Sequence, residues 1–278
     1  MTNPGRRPPP QRPAVSPAFK TALAYAEERI AALIEGLDRP INEFGQPCVL
    51  ALSIARQAGG VHGDMLRLCA AGRTTSALIL LRSIVEAAIL VRWIQVDPQL
   101  HTDMYLAEDD RMRLAGVPAI EEFRRRRGIP SSGPVFDPVD DARMRKEVEA
   151  TKAKAIAEGK ITKKSNRVLP LVQDMAKVTG DTAIWEAYEI LYRVISPWTH
   201  FGGRSLAHHE FESRPDGTYI EPRAVLSGEA IRGVAAPTTL VLLGSTSRIC
   251  GLGFEGEARL LQDTLVLWPR EVLDNVDV

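Results

Sequence analysis

The sequence predicts a mainly all-α protein: a multi-helix bundle with one small β-hairpin near residues 205–222 and a disordered N-terminal tail. Three observations carry that expectation. Apolar residues recur every three or four positions, as in Leu23, Ala26, Ile30, Leu33 and Leu37, the spacing that gives a helix one apolar face. Prolines and glycines cluster between such stretches, where they break regular structure. Period-two alternation is confined to HEFES and TYIEP, on either side of the turn dipeptide Asp216-Gly217.

Taken in order, residues 1–16 (MTNPGRRPPPQRPAVS) are too proline-rich for helix or strand, and no apolar segment follows them to make a secretory signal. Residues 17–278 are expected to form a single helical domain. Its first helix runs from Pro17 to Leu37. A second covers Cys48 to Ala71, with a kink expected at Gly59, Gly60 and Gly63. A third, Thr74 to Val96, stops at Asp97-Pro98, because the residue before proline is pushed out of the helical region. A fourth, Leu100 to Arg127, is expected to be interrupted near Gly116-Val117-Pro118. The proline-rich stretch 128–141 is the best candidate seam. Beyond it, Ala142 to Glu158 reads as a solvent-washed helix held by charge pairs. Val168–Val178 and Thr182–Ser196 form a helical pair in which Gly180 suits a C-cap and Asp181 an N-cap. Helices resume at Gly228–Ile249 and Glu255–Leu267.

Composition excludes several function classes. The formal charge is zero, so no overall basic field gathers nucleic acid or an anionic membrane. The two most apolar stretches, Ala77–Trp93 and Gly233–Ser247, are interrupted by charges or fall short of the roughly 20 apolar residues a membrane span needs, so they are read as buried core helices. Cys48, Cys69 and Cys250 lie far apart without a CxxC pair and read as reduced core thiols of a cytoplasmic protein. Templates for ATP, dinucleotide or α/β-hydrolase chemistry are missing.

What stands out is polar residues where apolar ones cost less. Arg82 and Glu86 sit four apart on the most apolar helix, hence on one face. If that helix is buried, each charge costs several kcal/mol to desolvate and needs a partner. The later segment YRVISPWTH holds Tyr192, Arg193, Ser196 and His200, with Glu189 one turn before Arg193, and Pro197 ends its helix. Polar groups inside a bundle seek one another. Glu86 is therefore expected to accept a bond from Arg82, Arg193 or His200, on the floor of a cleft beneath Phe201–Tyr219. His200, His208, His209 and Glu210 match no metal-ligand spacing, so no metal or cofactor is expected. Arg124–Arg127 reads as the solvated end of a helix whose dipole favours cations.

The set Arg73, Leu81-Arg82-Ser83, Glu86, Trp93, Asp97-Pro98, then Tyr192, Ser196 and His200, resembles an uncharacterised bacterial family, a helical domain of unknown function with R-S-x-x-E and Y-x-x-x-S-x-x-x-H segments. The resemblance covers roughly residues 50–245 and implies the fold and the pairing of the two segments. More loosely, Arg193 and His200, with six residues between, resemble the Arg–His hallmark of the HEPN superfamily of small helical bundles, many of them ribonucleases. That likeness implies a metal-independent ribonuclease with Arg193, His200 and Glu86 as catalytic residues and RNA as partner. The competing expectation, and the one favoured here, is a non-enzymatic defence or regulatory accessory module, in which Arg82, Ser196 and Tyr192 belong to a polar cluster. A second copy of the chain is a further candidate partner.

Overall fold

The structure is a computed structural model that describes residues 16–129, 137–192, 209–214, 217–222 and 226–266. Of the expected tail, only Ser16 lies within them. It belongs to the fold: its side chain accepts from the Phe19 N–H and caps helix α1 (Pro17–Glu35).

Three helices make the centre. Helix α2 (Gln46–Ala70), helix α3 (Thr74–Val96) and helix α8 (Gly228–Cys250) pack against one another pairwise. Their contact faces bury Ala51, Leu52, Ala55, Leu81, Ile84, Val85, Ala235, Leu240 and Leu243. Helix α1 lies against α8, and helix α9 (Glu255–Val266) folds back onto α8 and α1. Helix α4 (Pro98–Arg126) pairs with helix α5 (Pro138–Ala157), and the short helix α6 (Val172–Val178) packs on α3. His209–Arg214 (β1) and Gly217–Pro222 (β2) pair antiparallel, with Phe211 opposite Ile220.

Two expected breaks do not occur. Helix α2 runs unbroken through its glycines, because a helical glycine costs only about 1 kcal/mol and packing offsets it. Gly59 has a packing role: a Cβ there would come within 2.9 Å of Ile34 Cγ2, so its bare backbone lets α1 approach α2. Helix α4 likewise continues through Gly116 and Pro118. At its start the Asp97 carboxylate accepts from the Leu100 N–H, so a single residue ends α3 and opens α4. Helix α5 matches its expected character, with Arg143 paired to Asp140 and Glu147, Arg145 paired to Asp141, and only Met144, Val148 and Ala155 buried.

Helix α8 carries buried hydroxyls, and the helix itself satisfies several of them. Thr238, Thr239 and Thr246 donate to the carbonyls of Val234, Ala235 and Leu242, one turn back. Among the described residues, no helix is long and apolar enough to cross a membrane.

The expectation of three reduced thiols fails. Cys48, in the first turn of α2, is disulfide-bonded to Cys250, the last residue of α8, with Cα atoms 5.0 Å apart. The helices run antiparallel, so the start of one meets the end of the other across a separation of 202 residues. Cys69 remains a free thiol, and burial pushes its pKa up to about 11.

Candidate functional site

Arg82 and Glu86 pair as their spacing predicts, with Arg82 Nε donating to Glu86 Oε1 at 2.9 Å. The pair is not buried, however. The Arg82 side chain is 18% exposed and that of Glu86 40%. The reason lies in how α3 is covered. Leu81, Ile84, Val85, Ala88 and Ile89 are enclosed, whereas Ser76, Ile79 and Ser83 form an exposed strip that Arg82 and Glu86 border. Ile79 alone is 41% exposed. Mean apolarity made the helix look buried all round, while its neighbours leave one strip open. The Glu86 carboxylate is therefore accessible to a further donor.

The second predicted segment is reached through a pinned corner. Gly180, at φ +62°, ends the α6 turn, and the Asp181 carboxylate accepts from the Ala183 and Ile184 N–H groups to start helix α7 (Thr182–Glu186). The same carboxylate lies 3.2 Å from Arg92 Nε, which ties this corner to α3. Trp185 takes Lys177 over its ring at 5.5 Å and lies 5.6 Å from the Tyr188 ring.

A regular α-helix was expected through Ser196, but Ala187–Tyr192 is π-helical and packs on α3. A π turn closes its bonds one residue later than an α turn, which alters the facing of whatever follows. Tyr192 is the last residue of that segment. Its side chain, and the whole of Arg193, Ser196, Pro197 and His200, lie outside the described residues. The expected meeting of Glu86 with Arg193 or His200, and the expected cleft beneath Phe201–Tyr219, fall there too. The structure thus brings together Arg82 and Glu86, and it packs the π-helical approach to the second segment on the same helix.

Sequence reasoning missed the enclosed polar groups. Glu108 on α4, with its side chain only 6% exposed, takes a two-pronged bond from Arg111 at 2.7 and 3.0 Å and accepts the Val168 N–H at 2.7 Å. Burial alone would raise its pKa, but Arg111 and the backbone N–H groups outweigh it and hold Glu108 below the usual carboxylate range. Glu27 on α1 takes Arg232 of α8 in the same two-pronged way, at 2.5 and 2.8 Å, with the Glu27 side chain 12% exposed. The Glu108–Arg111 pair is a local one, three residues apart on α4, but the bond from Val168 to Glu108 and the Glu27–Arg232 pair join elements far apart in sequence, and no local pattern marks those.

Two buried histidines complete this interior set. Thr239 spends its only proton on the Ala235 carbonyl, so His62 Nδ1, 3.0 Å from Thr239 Oγ1, must be the donor. His62 Nε2 then carries a lone pair with no hydrogen-bond partner among the described residues. Burial lowers the pKa of His62 to about 4. His101 Nδ1 donates to the Trp93 carbonyl at 2.6 Å and its ring stacks on that of Trp93, centroids 3.8 Å apart. Burial lowers its pKa as well. Among the described residues, no group of three or more His, Cys, Asp or Glu could hold a metal ion.

A family model matches residues 63–218, from within α2 to the start of β2, and spans every residue of the proposed site. The match covers more than half of the 278 residues, and the chain belongs to that family, the family of unknown function DUF5677. No curated protein and no solved structure matches the chain.

Proposed function

We propose that this DUF5677 member is a non-enzymatic helical module with a defence or regulatory role, acting in the cytoplasm, and that Arg82 and Glu86 form its recognition surface. The observation that carries this reading is the accessibility of the Glu86 carboxylate. An ion pair whose carboxylate stays open to water contributes about 0–1 kcal/mol to stability, so the pair by itself gives little reason to keep a charge on the open strip of the most apolar helix. A carboxylate that is 40% exposed, as that of Glu86 is, suits the donor groups of a polar partner. The Arg92–Asp181 tie and the π-helical segment on α3 support a surface that extends toward Tyr192, Arg193, Ser196 and His200.

A second reading is favoured by one observation, the π-helical segment that runs directly into Arg193, since such widened turns recur at functional sites. On that reading the protein is a HEPN-like ribonuclease. His200 exchanges a proton with the ribose 2′-hydroxyl, Arg193 stabilises the charge of the phosphorane, and Glu86 orients them. Incubating mixed RNA in EDTA with wild type and with His200→Ala separates the two. Equal background from both is the expected result. Cleavage by wild type that His200→Ala abolishes overturns the non-enzymatic reading.

A further inference from the structure

We infer that the Cys48–Cys250 bond is a reversible redox clasp that holds the α8–α9 corner, and with it the seat of α9 on α1. The argument starts from where the sulfurs lie. Cys48 occupies the first turn of α2, a helix of 25 residues, and is enclosed. Cys250 is the last residue of α8 and is partly exposed. Of the two residues, Cys250 is thus the one on the open side of the bond, and we take its Sγ as the atom an incoming thiolate attacks. The sulfur it displaces is that of Cys48, whose thiolate forms at the positive end of the α2 dipole, the position that lowers a thiol pKa and makes a better leaving group.

The balanced step uses a small dithiol. Its thiolate attacks Cys250 Sγ, forming a mixed disulfide, and the electron pair of the broken S–S bond leaves on Cys48. The second thiol of the reagent then attacks its own sulfur in that mixed disulfide and releases Cys250 as thiolate. The two protein sulfurs take up the two protons of the dithiol. The protein disulfide is reduced by two electrons, and the dithiol is oxidised to a cyclic disulfide. A small disulfide such as oxidised glutathione runs the sequence in reverse. Cys69 does not interfere: it lies 21 positions along α2 from Cys48, about 31 Å at the helical rise, beyond any exchange within the fold.

The conformational consequence follows from what leaves the same corner. After Cys250 the chain turns through Gly251, at φ +65°, and Leu252 N–H bonds back to the Ser247 carbonyl. Ser247 Oγ then accepts from Phe254 N–H and donates to Glu255 at 2.9 Å, which launches α9. Helix α9 meets α1 along a cavity of about 180 Å³ lined by Ala22, Tyr25, Ala26, Leu260, Leu261 and Thr264, and the Arg29–Glu257 pair spans this seam. That pair is half-exposed and contributes little. Opening the clasp frees the end of α8 and loosens α9, while the α2–α3–α8 centre stays packed.

The full-length chain is equilibrated in glutathione buffers of graded ratio, alkylated, and counted for free thiols by mass spectrometry, with amide exchange followed in parallel. The expected result is one alkylated thiol under oxidation, Cys69, and three under reduction without unfolding. Exchange over residues 251–266 should be about tenfold faster in the reduced chain and unchanged in α3. The double variant Cys48→Ala/Cys250→Ala should copy the reduced pattern in any buffer. A bond that yields only when the protein is denatured overturns the proposal. So do three free thiols in oxidised buffer, or equal exchange of α9 in both redox states.

Discussion

Two glutamate–arginine pairs in this protein have the same chemistry and opposite standing. Arg82 and Glu86 lie one turn apart on a single helix, and the pair borders an open strip. Glu27 and Arg232 are 205 residues apart and join α1 to α8, and here it is the carboxylate that is enclosed, 12% exposed against 40% for Glu86. The first was visible in the sequence and drew attention as a buried liability. The second left no local trace, yet it ties α1 to α8. Glu108 sharpens the contrast, since its carboxylate serves Arg111 and the Val168 backbone at once. A pair within one helix forms wherever that helix forms, so its worth depends on exposure. A pair between elements has to be paid for by their docking, and losing one partner strands the other in low dielectric.

The largest effect is expected from Glu108→Ala. It leaves Arg111 and the Val168 N–H without their acceptor inside the fold, and a loss of about 3–4 kcal/mol should appear as a lower midpoint in urea. A loss under 1 kcal/mol would place Glu108 in the same class as the exposed pairs and break the comparison.

The second effect concerns pH. His62 titrates near 6.5 in the unfolded chain and is lowered to about 4 in the fold. Below pH 6.5 the unfolded state therefore binds a proton that the native state refuses. Stability should fall as pH drops from 6.5 toward 4, by about 3 kcal/mol in full, and this group should have no influence above that window. The carboxylate of Glu108, held below its usual range, adds its own loss at lower pH still. Replacing His62 with Gln should flatten the slope between pH 6.5 and 4, and an unchanged slope would show that His62 is open to solvent.

The smallest effect is expected from Arg82→Ala, below about 1 kcal/mol, because the Glu86 carboxylate it leaves behind is open to water. Burial of the kind its helix suggested would cost about 3 kcal/mol instead. Denaturant melts of this variant beside Glu108→Ala measure the two halves of the comparison directly.

Much of the architecture was legible because helix formation is local. The three-to-four spacing of Leu23 to Leu37, the stop at Asp97-Pro98 and the Gly180–Asp181 boundary each act within a few residues, and each recurs in the fold. The errors have local sources as well. Glycine and proline were weighed as breakers in α2 and α4, but a cost of about 1 kcal/mol per glycine is small beside the packing that Gly59 permits against Ile34. The site was legible only as residue types. Spacing placed Arg82 and Glu86 on one face, but nothing in the spacing says whether that face meets water.

The sequence by itself thus determined the helical class, most helix ends, and the pairing of Arg82 with Glu86, because backbone hydrogen bonding and side-chain contacts one turn apart depend only on neighbours in the chain. Tertiary structure alone decided which strip of α3 stays open, that Glu27 meets Arg232, that Glu108 reaches Val168, and that Cys48 finds Cys250 across 202 residues. These depend on how helices dock, and docking is set by apolar surface summed over the whole core rather than by any pattern within one segment.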